Sequence, residues 1–363
     1  MRNKEFVFGE GRISGYLSAL LGILSLFAVF AFLYPEYLTT PDLRKEYPVE
    51  ILRDVLMVCL ILSYAFAILT FFLNKKKTLG IIGLGCSTVA ILLGGWQIEV
   101  KEFDQHFAFI GLDWIVLDFL ILAIIFIPIE KFFPNRKNQI ILRPEWQTDL
   151  SYFCVGHLFI QIIAMVTIMP ATLLSETFNL NFLQVNISTW PWIVQFFAAI
   201  LITDLFLYFI HRLFHISKIL WPFHAIHHSI KSIDWLAGSR LHFVDIFISR
   251  AIGFAPTFLL GFPFEIVTSY IIFVAFHTVF IHSNTNVDFK FLKYVFVTPQ
   301  YHNWHHSADP STFNKNYAVH LPLIDYIFGT YYFPINKQPS YFGIDLELPN
   351  SYIGQFIYPF RKK

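Results

Sequence analysis

Long apolar runs constrain this chain more than any other feature. They occupy residues 13–34, 51–73, 79–95, 110–129, 150–174 and 192–210, with a further run over 243–281 that breaks at Gly261 and Pro263. A helix needs about 20 mostly apolar residues to cross the hydrocarbon of a bilayer. The first six runs therefore read as spanning helices and the seventh as a helical hairpin. The expected fold is all-α: a polytopic integral membrane protein with about eight transmembrane or membrane-embedded helices. Charge agrees, because only 14% of the 363 residues are Asp, Glu, Lys or Arg, against about a quarter in a soluble domain. So few charges cannot cover a globular surface. The formal net charge of +1 argues against nucleic acid as a partner. The first run is too long for a signal-peptide core and a second follows soon after, so it reads as an uncleaved helix. Cys59, Cys86 and Cys154 lie in apolar runs, with no spacing that suggests a disulfide framework or a zinc thiolate site.

Basic residues set an orientation. Arg2, Lys4 and Arg12 precede the first run, Lys75, Lys76 and Lys77 follow the second, Lys131, Arg136, Lys137 and Arg143 follow the fourth, and Arg212, Lys218, Lys231 and Arg240 follow the sixth. The alternate loops are poor in Lys and Arg: residues 174–191 have none, and residues 96–109 have only Lys101. Positive residues favour the cytosolic side. The N-terminus and the histidine-rich segments are thus expected in the cytosol, at a bacterial inner membrane or the endoplasmic reticulum. A charged link at residues 130–139, broken by Pro134, suggests a boundary. It separates a four-span region (1–135) from a catalytic region (136–335), with a tail over 336–363.

Eleven of the 14 histidines fall between His211 and His306. Two segments share the pattern H-x-x-H-H: His224, His227 and His228, then His302, His305 and His306. At this histidine frequency one such pattern is expected by chance roughly 0.02 times. His211 and His215 precede the first of them, and His277 and His282 lie between the two. On a helix, positions i, i+3 and i+4 share a face, so each box is expected to present its imidazoles to one point. Neutral imidazole is a common ligand for zinc, copper, iron and nickel. Ten histidines exceed what one ion takes and suit two. Candidate metal ligands are accordingly His211, His215, His224, His227, His228, His277, His282, His302, His305 and His306. His106, His157 and His320 read as satisfied core or interface residues.

Asp204 is a charge inside a spanning run, which makes it a functional candidate. It shares a helical face with Tyr208, His211 and His215, and is expected to accept the outer N–H of a metal-bound histidine. Packing unrelated to a metal is the alternative. His242 is a candidate to bind metal, orient a ligand or touch a substrate head group. Asp325 either supports the site or caps a turn.

These boxes resemble the fatty acid hydroxylase superfamily, also called the sterol desaturase family: His211/His215, His224/His227/His228, a middle pair His277/His282, and His302/His305/His306. The surrounding stretches FHAIHHS (223–229) and VTPQYHNWHHS (297–307) are also similar to it. The middle pair has four intervening residues where some members have three. The resemblance covers about residues 140–335. It implies a non-haem di-iron oxygenase using two Fe2+ ions and O2 on a cytosolic helical cap, acting on a lipid. An unactivated C–H bond needs a stronger oxidant than a side chain; metal and dioxygen supply it, while the protein supplies ligands and a dry cavity. No Rossmann fingerprint or cytochrome-like extension is evident, so electrons are expected from a separate reductase, ferredoxin or cytochrome. Hydroxylation is the leading outcome and desaturation on the same site the alternative. A zinc hydrolase, which uses three protein ligands, and a transporter, whose site would lie near the bilayer midplane, fit less well.

Overall fold

Each apolar run becomes a helix in the computed structural model, which describes residues 13–100, 110–178, 186–334 and 337–361. His106 lies outside the described residues. The long helices are α1 (Ile13–Leu33), α2 (Val49–Leu73), α3 (Thr78–Leu92), α4 (Leu112–Phe132), α5 (Trp146–Thr177) and α6 (Trp192–Ile216). Then come α7 (Trp221–His228), α8 (Phe243–Leu259), α9 (Phe264–His282), α10 (Pro299–His305), α11 (Pro322–Ile327) and α12 (Tyr352–Ile357). Among the described residues extended pairing is limited to isolated bridges, Pro134 with Thr285 and Ser307 with Phe342. The all-α expectation holds.

Six of these helical stretches are long and apolar enough to cross a membrane: α1, α2, Thr78–Gln97, α4, α6 and α9. Large apolar residues such as Phe72, Leu92 and Phe264 stand exposed on them, as lipid-facing positions should. The chain is an integral membrane protein. The expected hairpin forms as α8 and α9, but α8 has only 17 residues, at the lower limit for a span, and is not among the six. Gly261 makes its corner with φ 67°, a left-handed conformation that costs glycine little.

Packing divides the chain into two units, Met1–Asp118 and Phe119–Lys363, with the division inside α4. In the first unit α1, α2 and α3 pack through small hydroxyl residues. Ser18 Oγ donates to Ser63 O at 3.0 Å, Ser63 Oγ to Ser18 O at 2.9 Å, and Ser87 Oγ to Ser63 Oγ at 2.8 Å. Between apolar helices in lipid, close packing and such bonds replace the hydrophobic drive.

The second unit carries the histidine boxes. Helix α8 packs against α5 and α6, and α9 against α6 and α10; Ile200, Phe254 and Tyr270 join α6, α8 and α9 in one apolar core. Helix α6 runs past its apolar stretch to Ile216, which keeps His211 and His215 on the same helix one turn apart. Helix α7 starts on Pro222 in its first turn, where the missing N–H costs nothing. Helix α10 starts on Pro299 and is capped by Thr298, whose Oγ1 accepts from Tyr301 N.

Candidate metal centre

Nine histidines converge into two groups. His211, His215, His224, His228 and His305 form one; His227, His282, His302 and His306 form the other. Within each group the ligand atoms lie within 4.8 Å of one another. The boxes do not each serve one point, as expected from spacing. Positions i and i+4 are about 40° apart on a helix, whereas i+3 lies about 60° to the other side of i. His224 and His228 therefore join the five-histidine group and His227 the other. In the last box His302 and His306 go together to the four-histidine group and His305 crosses to the first. Each H-x-x-H-H box gives a pair to one group and its middle histidine to its counterpart.

Hydrogen bonds fix the ring orientations. A carbonyl or carboxylate only accepts, so the ring nitrogen facing it carries the hydrogen. His211 Nδ1 donates to Tyr317 O (2.7 Å), His305 Nδ1 to Lys315 O (2.8 Å) and His224 Nδ1 to Asp245 Oδ2 (2.6 Å). In the other group His227 Nδ1 donates to Arg240 O (3.2 Å) and His282 Nδ1 to Thr278 O (2.7 Å). In the neutral rings each Nε2 is then a bare lone pair. Yet His211 Nε2 lies 3.0 Å from His224 Nε2, and His282 Nε2 lies 3.2 Å from His227 Nε2. Two lone pairs facing at that distance repel unless a cation sits among them. Nε2 of His215, His228 and His305 is buried with no hydrogen-bond partner, which buried polar atoms rarely tolerate.

In the four-histidine group protonation does not relieve the contact. Burial, reinforced by the neighbouring imidazoles, pushes His227, His228, His302, His305 and His306 well below the usual histidine range. They stay neutral, the form that binds metal. The donor set is all nitrogen, buried and convergent, and fits metal ions in both groups.

The remaining sequence candidates fall elsewhere. His277 joins neither group. Its Nε2 donates to Val297 O at 3.0 Å, leaving Nδ1 to accept from His320 Nδ1 at 3.0 Å. His320 Nε2 in turn accepts from the Tyr270 hydroxyl at 3.1 Å. This chain of rings is satisfied without a metal. His242 caps α8: its Nδ1 accepts from Val244 N (3.1 Å) and its Nε2 donates to Phe356 O (3.0 Å). His157 sits in α5 with Nδ1 on Phe153 O at 2.8 Å.

Asp204 does not receive an imidazole N–H. Its Oδ1 accepts from Val319 N (2.8 Å), and its Oδ2 from His320 N (3.1 Å) and Leu321 N (2.7 Å). Asp325 accepts from Tyr317 N (2.8 Å) and Ala318 N (2.9 Å). Two buried carboxylates thus hold five consecutive N–H groups over residues 317–321, and this strap presents Tyr317 O to His211. The carboxylate that touches a ring is Asp245, which sequence reasoning passed over. It is a charge at the start of the apolar run 243–281, the same signal that singled out Asp204.

Residues 196–330, which include all nine histidines of the two groups, match the fatty acid hydroxylase family model. Among curated proteins, ornithine lipid hydroxylase OlsE of Rhizobium tropici is 32% identical over 174 residues, 48% of this chain and 53% of the relative. Alkylglycerol monooxygenase of Danio rerio is 32% identical over 154 residues, 42% of this chain and 33% of the relative. Methylsterol monooxygenase 1 of Gallus gallus is 26% identical over 211 residues, 56% of this chain and 69% of the relative. The chain thus spans about half the length of the first of these and a third of the second. No solved structure matches it.

Proposed function

We propose that the chain is a membrane-bound, O2-dependent di-iron oxygenase that hydroxylates a C–H bond of a lipid. The observation that carries this reading is the pair of convergent imidazole groups, in each of which the ligand nitrogens lie within 4.8 Å of one another. The family match over residues 196–330 supports the chemistry. Relatives named for ornithine lipid, alkylglycerol and methylsterol support a substrate with an apolar body and a small polar head. The region 136–335 is the catalytic domain in this reading, and 1–135 a four-span membrane region.

One iron would be held by His211, His215, His224, His228 and His305, the other by His227, His282, His302 and His306. When bound, the pair would supply dioxygen activation, which no side chain here provides. The reaction is R–H + O2 + two electrons + two protons giving R–OH + water, with the electrons delivered by a separate reductase, ferredoxin or cytochrome. The chain's own groups fix ring orientation: Asp245 holds the N–H of His224, Tyr317 O that of His211, Lys315 O that of His305 and Arg240 O that of His227. Burial keeps bulk water from the reacting face. The distribution of Lys and Arg supports a cytosolic N-terminus and a centre on the same side.

The test is metal content per chain on protein purified in detergent from iron-replete cells, followed by lipid analysis of producing cells with and without dioxygen. Two irons, lost in part from His227→Ala, and a dioxygen-dependent lipid alcohol are expected. A dioxygen-dependent alkene instead would move the assignment to desaturation. Failure to load two metals even after reconstitution with ferrous iron would end the di-iron reading.

A further inference from the structure

The four-histidine group leans on a turn that is held by buried charge. Residues Ala237–Ser239 form a short 3-10 turn. Arg240 follows it, fully buried, and its carbonyl oxygen receives the N–H of His227. Gly238 in the same turn lies against His282: a Cβ there would stand 3.0 Å from His282 Nδ1 and 3.2 Å from Thr278 O. The turn therefore touches two of the four ligands, one by a hydrogen bond and one by close packing.

What holds the turn is an ionic brace. Arg240 Nε lies 2.5 Å from Asp149 Oδ1, and its Nη1 lies 2.6 Å from Glu145 Oε2. The other oxygen of Asp149 takes Arg143 Nη2 at 2.6 Å, and Arg143 Nε lies 2.9 Å from Asp234 Oδ2. Asp234 Oδ1 accepts from Ala237 N at 3.0 Å, which returns the brace to the turn. Arg143, Asp149, Asp234 and Arg240 are all buried. Buried charges are costly unless paired, and hydrophobic packing would hold a turn without that cost. Glu145 also accepts a left-handed backbone, φ 71°, a conformation usually retained where placement matters. The outward contacts of the five-histidine group go instead to Asp245, Tyr317 and Lys315.

We propose that Arg143, Asp149, Asp234 and Arg240 form a positioning brace for the four-histidine group, setting iron affinity at that group and not at its neighbour. This rests on the two-metal reading above. Outer partners of metal-bound histidines typically contribute 10- to 100-fold in metal affinity. The brace acts one step further out, through the Arg240 turn, so Asp149→Asn and Arg240→Gln should weaken the second iron by about 10-fold, the lower end of that range.

The experiment titrates ferrous iron anaerobically into the purified full-length protein and counts metal per chain. Wild type should take two irons, and Asp149→Asn and Gly238→Ala one at the level that just fills wild type. Gly238→Ala leaves every charge in place, so it tests the turn even if Asp149→Asn does not fold. Site assignment comes from combination: Asp149→Asn should cost nothing further in His227→Ala, and should leave no tightly held iron in His215→Ala. Two irons in folded Asp149→Asn and Gly238→Ala would overturn the brace, as would equal loss from both groups. Wild type that never takes a second iron would overturn the two-metal reading first, and the brace with it.

Discussion

The two histidine groups share their boxes but not their supports. The five-histidine group has one carboxylate directly behind a ring, Asp245 on His224, beside the carbonyls of Tyr317 and Lys315, the former on the strap that Asp204 and Asp325 hold. The four-histidine group is backed by backbone carbonyls, Arg240 O and Thr278 O, and Nδ1 of His302 and of His306 has no hydrogen-bond partner. A carboxylate behind an imidazole raises its basicity as well as fixing its plane; a carbonyl does so less. Under the two-metal reading, the group with a carboxylate directly behind a ligand should hold its metal the more firmly. Iron should fill the five-histidine group first.

The harshest way to break that comparison is to remove a ligand from each side. His305→Ala and His302→Ala should both abolish lipid hydroxylation while leaving membrane insertion intact. They should differ in iron: His302→Ala should keep one tightly held ion, whereas His305→Ala leaves four ligands with their carboxylate support and should keep a weakened one. Metal per chain across a chelator series reads this directly. Equal retention in both would remove the asymmetry.

Next in size is Asp245→Asn. It keeps the shape and a hydrogen-bond acceptor but removes the charge behind His224, and should weaken iron at the five-histidine group about 10- to 100-fold. Asp204→Asn is the companion test, one step further out. Its carboxylate serves three strap N–H groups with two oxygens; an amide offers one oxygen, leaving at least one buried donor unpaired at a cost of about 1–3 kcal/mol. Activity should fall less than in Asp245→Asn, with His211 the ligand disturbed. A larger effect at Asp204 than at Asp245 would mean that the strap, not the direct carboxylate, sets affinity.

How much of this could be read beforehand follows from what each feature depends on. The apolar runs were legible because lipid demands about 20 apolar residues whatever the neighbours do. The box histidines were legible because their spacing is improbable by chance. How each box divides was not, since spacing gives a residue's face but not what lies opposite; only the packing of α7 against α10 and the ends of α6 and α9 decides it. His277 had the same surroundings in sequence as His282, yet sits on the far side of α9 beside His320. The charge of Asp204 inside a run marks a residue with buried partners, but those partners are backbone N–H groups and not an imidazole. Arg240 and Asp149 meet across 91 positions, and no local pattern joins them.

The smallest effect is the most diagnostic of the boundary of the site. His242 lies in the same histidine-rich region as the ligands and is fully buried, yet its two ring nitrogens are both used, one on Val244 N and one on Phe356 O. Burial lowers its pKa, so it serves as a neutral cap. His242→Ala should therefore cost a helix cap, about 1 kcal/mol, seen as a fall of ~2–4 °C in Tm. Iron per chain should be unchanged, because no inward lone pair is lost. His242→Asn, whose side-chain oxygen can accept from Val244 N, should recover most of the stability. If His242→Ala lost iron instead, a hydrogen-bonded ring would be acting as a ligand, and satisfaction of both ring nitrogens would no longer separate structural histidines from metal-binding ones in this protein.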